Sequence, residues 1–210
     1  MRGMDAAFDL FPEGFFDRAD EADDTAFYAQ PRLVQHLDDR ARSAVGDVYS
    51  QLGVGGRVLD LMGSWVSHLK TRPDHLTVLG MNADELAQNP WADGCVVHDL
   101  NRTASLPFAE QSFDAATCTV SVDYLRDPVP VFRSVRSVLA PGGVFVCTFS
   151  NRLFPTKAVR GWLHADDHQR CAIVERYFLA SGGWEKPTSS EVFSPGPEGD
   201  PLWAVWSRAE

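Results

Sequence analysis

No apolar run in this 210-residue chain approaches the ~20 residues that a membrane-spanning helix needs. Basic clusters are also missing. The chain has 19 Lys and Arg against 29 Asp and Glu, a formal net charge of −10, which argues against nucleic acid as a partner. Cysteine is scarce and widely spaced. Cys95, Cys118, Cys147 and Cys171 form no C-x-x-C, so neither a disulfide framework nor a metal site is expected. Buried, reduced thiols in a cytoplasmic chain are the plain expectation. The first residues are acidic and aromatic, unlike a signal peptide. No G-x-S-x-G elbow appears, which sets a serine hydrolase aside. His164 and His168 lie four apart, but no Glu follows the first and no third ligand is evident, so they read as a solvated helix start. No repeat and no low-complexity segment is present. At 44% apolar residues, one full core and one domain are expected.

Residues 1–30 read as an arm. Phe8, Phe11, Phe15, Phe16, Phe27 and Tyr28 alternate with Asp17, Asp20, Glu21, Asp23 and Asp24. That is too aromatic for a solvated tail, and a lid over a site is one role for it. Residues 31–210 then form the domain. Pro31 opens a helix with Leu33, Leu37, Ala41, Ala44, Val45, Val48 and Leu52 at helical spacing, stopped by Gly53, Gly55 and Gly56. Arg57 to Met62 reads as a buried strand, Gly63-Ser64 as a tight turn, and Trp65 to Leu69 as the start of a helix. Further strands are expected at 75–80, 95–100, 115–122 and 144–149, with a helix at 130–139 stopped by Pro141-Gly-Gly143. A helix at 168–179 and two last strands, 185–193 and 202–207, complete the chain, the latter joined by a loop at 194–201. Strands separated by helices at this pace predict an α/β fold with a mainly parallel sheet.

Val58-Leu-Asp-Leu61, Asp99, Leu106-Pro-Phe-Ala-Glu-Gln-Ser-Phe-Asp114, Arg126-Asp-Pro128 and Val138-Leu-Ala-Pro-Gly-Gly143 together resemble the class I S-adenosylmethionine-dependent methyltransferases. The nearest subgroup is type 11, which acts mainly on small molecules. The resemblance implies a single-domain Rossmann-like fold. Its seven-stranded sheet is ordered 3-2-1-4-5-7-6 with strand 7 antiparallel, and the cofactor lies across the strand ends where the order reverses. It also implies S-adenosylmethionine as cofactor, a small-molecule acceptor, and no membrane or nucleic-acid partner.

Carried over residue by residue, the resemblance implies that Asp60 lies near the methionine ammonium, and Gly63 and Ser64 in the turn beneath the methionine and ribose. Trp65 stands beside the pocket. Asn82 takes the place of the ribose carboxylate, Ala83 lies against the adenine, Asp99 and Leu100 lie at the adenine amino group, and Ser121 near the reacting methyl. Met62, Ser64 and Val66 stand where the family has three glycines. On the acceptor side the candidates are Tyr28, His36, Asp123 and Tyr124, with no catalytic base assigned. The alternative is a non-catalytic protein of the same fold that binds a ligand or a partner.

Overall fold

Seven strands hydrogen-bond into one sheet in the order β3-β2-β1-β4-β5-β7-β6. The computed structural model describes residues 11–196 and 199–210; Phe8, and residues 197 and 198 of the expected 194–201 loop, lie outside them. Strands β1 (Arg57–Leu61), β2 (His75–Gly80), β3 (Gly94–Val97), β4 (Phe113–Thr119) and β5 (Leu139–Phe149) run parallel. Strand β7 (Leu202–Arg208) inserts antiparallel between β5 and β6 (Thr188–Phe193). Ala115, Ala116 and Cys118 of β4 are wholly buried, as a central strand covered on both faces requires.

Two apolar layers sandwich this sheet. Helices α4 (Pro128–Val138) and α6 (Asp167–Ser181) cover one face through Val131, Phe132, Val135, Val174 and Phe178. Helix α2 (Asp39–Gln51) and the short α3 (Ala83–Ala87) cover the other through Val45, Val48, Tyr49 and Leu86. Two one-turn helices were not foreseen in the sequence: α1 (Asp24–Phe27), whose Asp24 reaches the crevice described below, and α5 (Arg160–Leu163), whose Arg160 and Gly161 amides donate to the Asp17 and Phe15 carbonyls. No helix among the described residues is long and apolar enough to cross a membrane.

Several boundaries differ from the sequence reading. The helix expected from Pro31 begins at Asp39, because Asp38 accepts a hydrogen bond from the Ala41 amide and caps it there. Residues 31–38 are drawn off instead by side chains elsewhere. The Arg32 amide donates to Glu85, and the Trp65 indole donates to the Val34 carbonyl. Leu33 and Val34 are consequently half exposed.

No helix forms at 65–69 either; the whole stretch from Met62 to Asp74 is irregular. Asn89 donates to the Ser64 carbonyl and the Ser67 hydroxyl, and Ser67 donates to Asp60, so side chains occupy groups a helix would use. Strand β3 stops at Val97, since the Asp99 carbonyl accepts the Arg102 and Thr103 amides in a turn. Strand β4 ends at Thr119, and Val122–Tyr124 forms a 3₁₀ turn. Pro141-Gly-Gly143 falls within β5, where the register against β4 shifts.

Cys118 and Cys147 are buried register partners and Cys171 is buried, but Cys95 is exposed on the edge strand β3, against the expectation of burial. His164 caps α5 and His168, in α6, meets the Trp203 ring edge-on, so the two histidines do not share a helix face.

Candidate functional site

The carboxyl ends of β1 to β4 open into a crevice of about 590 Å³. Its size lies within the ~300–1,000 Å³ of small-molecule sites. Asp60, Gly63, Ser64, Trp65, Asn82, Asp99, Leu100 and Ser121 all line it, as do Tyr28, His36 and Tyr124. Two of the candidate residues do not. Ala83 is exposed at the start of α3, and Asp123 is buried behind the wall.

Asp60 is the electrostatic anomaly of this crevice. Its carboxylate is buried, accepts hydrogen bonds from Thr117 at 2.9 Å and Ser67 at 2.5 Å, and pairs with no base among the described residues. Burial pushes its pKa up to about 6, against the pull of the two hydroxyls. Beside it the backbone is strained. Met62 has φ +56° and Val120 has φ +45°, and they follow the adjacent central strands β1 and β4. Side chains rarely adopt this region, least of all β-branched ones, and such strain gathers at functional sites. Gly80 is needed where it stands, because a Cβ there would meet the Gly63 carbonyl oxygen at 2.2 Å.

Asn82 departs from the role the resemblance implies. Its Oδ1 accepts the Asp84 and Glu85 amides and caps α3. Its Nδ2 donates to the Tyr28 and Ala29 carbonyls at 2.9 and 3.2 Å. All four of its bonding positions are thus spent on backbone, and none is left for a ribose diol. The carboxylate that reaches the crevice from α3 is Glu85. It accepts from the Ser64 hydroxyl at 2.5 Å and from the Arg32 amide at 2.7 Å. The spacing Asn82-x-x-Glu85 carried a signal for this residue, since it is the pattern of a helix start, but the Glu side chain turns outward rather than back.

The remaining wall comes from the ends of the chain. Residues 11–36 form a strap. Phe11, Phe15 and Phe16 cluster against one another, Phe11 and Phe16 also meet Tyr177, and Phe15 lies on Gly161, where a Cβ would be 2.0 Å from the ring. The acidic residues of the strap pair with bases. Lys157, wholly buried, contacts Asp20 and Asp24 at 3.0 Å each, and Arg18 donates to Asp24 at 2.9 Å. Burial alone would raise the Asp24 pKa, but bonds from Arg18, Asn101 and Lys157 outweigh it and hold the carboxyl below its ordinary value. Asp38 and Asp200 each accept the other's amide, and Arg152 binds Asp200 at 2.6 Å. Arg32, Arg152, Phe154 and Asp200 line the crevice without having been singled out in the sequence, where nothing local marks them.

Two further titratable groups are perturbed, one in the crevice and one behind its wall. His68 lines the crevice with its pKa pushed down to about 4, by burial first and then by Arg42 and His36. Asp123 sits behind Tyr124 with one carboxylate oxygen unpartnered among the described residues, and burial pushes its pKa up to about 8.

Residues 62–147 match the family model for a methyltransferase domain. That match lies on a sheet with the class I methyltransferase fold. A curated relative, the ubiquinone biosynthesis O-methyltransferase of Histophilus somni (strain 2336), is 24% identical over 133 residues, 61% of this chain and 56% of that protein. The chain therefore spans little more than half the length of that relative. The S-adenosylmethionine-dependent methyltransferase from Mesorhizobium loti has a TM-score of 0.52 at 19% identity, over 79% of this chain and 97% of that one. The geranyl diphosphate C-methyltransferase from Streptomyces coelicolor A3(2), solved with S-adenosyl-L-homocysteine, has a TM-score of 0.53 at 14% identity, over 80% and 77%. At these identities the likeness to the two structures is one of fold. The methyltransferase domain is of the type 11 kind, and its order of strands with an antiparallel β7 is the class I order.

Proposed function

We propose that this methyltransferase domain binds S-adenosylmethionine in the crevice and transfers its methyl group to a small molecule there. Asp60 carries the proposal. A buried carboxylate with no base beside it calls for a cationic partner, and the ammonium of the cofactor's methionine portion is one. When bound, the cofactor supplies an electrophilic methyl on a cationic sulfur. The chain's own residues position the reactants and exclude water, which is most of what an in-line displacement asks of a protein. Gly63 and Gly80 give close backbone approach, Glu85 offers a carboxylate beside the turn, and Asp99 with Leu100 frames the far end toward β3. Ser121 stands at the end of β4, toward the acceptor.

The second reading is ligand binding without catalysis. The irregular chain after β1 and the spent amide of Asn82 favour it. Calorimetric titration with S-adenosylhomocysteine tests the shared premise. The wild type is expected to bind one equivalent and Asp60→Asn to bind at least tenfold more weakly, a loss of ~1.4 kcal/mol or more. No heat of binding in the wild type overturns the cofactor assignment. Retained affinity in Asp60→Asn removes Asp60 from it.

A further inference from the structure

We infer that the acceptor is a phenol-type aromatic ring, seated among Tyr28, Tyr124 and Phe154 with its hydroxyl presented to His36. This rests on the methyltransferase assignment above and names the substrate class for the same crevice.

Three separate segments bring the rings together. Tyr124 stands on the 3₁₀ turn after β4, and Phe154 on the loop after β5, with centroids 6.0 Å apart and planes 32° from parallel. The Tyr124 hydroxyl accepts the Phe154 amide at 2.9 Å, which fixes the two relative to each other. The strap supplies Tyr28 and His36, and the imidazole meets the Phe154 ring edge-on at 5.4 Å. Aromatic guests bind in such settings through offset and edge-to-face contacts. Arg32 stacks over Phe27 at 4.5 Å and lines the same end, leaving a positive charge near an electron-rich guest.

The polar groups of this end are mostly spent. Asp24 is paired with Arg18 and Lys157, and Arg152 with Asp200. Two histidines of the crevice, His36 and His68, make no ring hydrogen bond to a described residue, whereas His98 spends one nitrogen on a backbone carbonyl. Of the two, His36 is the more exposed one and the one in contact with the Phe154 ring, so it is the acceptor beside the rings. Burial lowers its pKa, Glu85 opposes this and Arg32 adds to it, so the imidazole is neutral near pH 7 and able to take a proton.

In the step, the hydroxyl proton passes to an imidazole nitrogen of His36. The phenol oxygen uses the freed pair to bond the methyl carbon as the carbon–sulfur bond breaks. That bonding pair stays on sulfur, which becomes a neutral thioether, and the imidazolium afterwards returns the proton to solvent. Charge and atoms balance with no further reactant.

4-Nitrophenol tests this, because its visible absorbance reports its own ionisation. It is titrated into the full chain, with S-adenosylhomocysteine binding measured separately by calorimetry. Saturable binding is expected, with a larger phenolate fraction bound than free at the same pH. Phe154→Leu is expected to bind roughly three- to tenfold more weakly, the worth of one aromatic contact. His36→Gln is expected to keep the ring but lose the gain in phenolate. A wild type that binds S-adenosylhomocysteine but not 4-nitrophenol overturns the ring site. An unchanged phenolate gain in His36→Gln overturns the base. Absence of S-adenosylhomocysteine binding overturns the cofactor assignment instead, and the phenol titration alone still decides the ring site.

Discussion

At the scale of single residues, Asp60 and Asn82 make opposite cases. Asp60 was legible in the sequence as the acidic end of a buried strand, and it lines the crevice unpaired with any base among the described residues. Its pKa of about 6 makes cofactor affinity depend on pH with a definite sign. Above pH 6 the carboxylate is charged and attracts an ammonium; below it, protonation removes the charge. Titrations with S-adenosylhomocysteine at pH 7.5 and 5 are expected to show weaker binding at pH 5 by about tenfold, the factor lost per unit below a pKa. Asn82 sits where the sequence indicates, but its partners could not be read there, because the Tyr28 and Ala29 carbonyls reach it from more than fifty residues away. Asn82→Asp keeps the α3 cap but cannot donate to either carbonyl. It is expected to destabilise by about 1–3 kcal/mol in denaturant unfolding, the cost of leaving buried groups unpaired, with no gain in cofactor affinity.

At the scale of elements, the strands were the legible part. The inner parallel strands β1, β2, β4 and β5 show in the sequence as apolar runs near their true places, because burial on two faces leaves a compositional mark. The edge strand β3 was legible as a short apolar run although its residues alternate between half-buried and exposed. What escaped was backbone captured by distant side chains. The stretch 62–74 is held by Asn89, itself buried, through the Ser64 carbonyl and Ser67. Asn89→Ala is expected to cost about 1–3 kcal/mol and to speed amide exchange across 62–70. The strap is a second such element. Its aromatic excess was legible, but the base that anchors it, Lys157, was not, since a buried lysine has no signature apart from its partners. Lys157→Met leaves Asp24 buried with one base instead of two. It is expected to destabilise by about 3–5 kcal/mol and to open residues 11–30 to proteolysis. Wild-type resistance in that variant would show that the ring contacts alone hold the strap.

At the scale of the molecule, stability follows its buried ionisable groups. Asp60 and Asp123 hold protons more tightly folded than unfolded, so what they contribute is present below pH 4 and is lost as pH rises, through about 6 and about 8 respectively. His68 and His36 have the opposite sense. Their pKa values are lowered, so their contribution is present above pH 6.5 and is lost as pH falls below it. From pH 6.5 to 8, Asp123 alone of these four still releases its proton in the folded state. Unfolding free energy is expected to fall there by up to about 1.4 kcal/mol per pH unit, and Asp123→Asn is expected to flatten the slope. The sheet order has another outcome, one in time. Strand β6 is synthesised before β7, yet among the described residues β7 is its only neighbour in the sheet. Asp38, near the start of the chain, is likewise tied to Asp200, close to its end. On the ribosome, therefore, β6 waits without a partner, and the crevice without its Asp200 contact, until residues 200–208 emerge. A nascent chain stalled after Phe193 is expected to be unable to retain S-adenosylhomocysteine, and to gain that ability only once β7 is released from the tunnel.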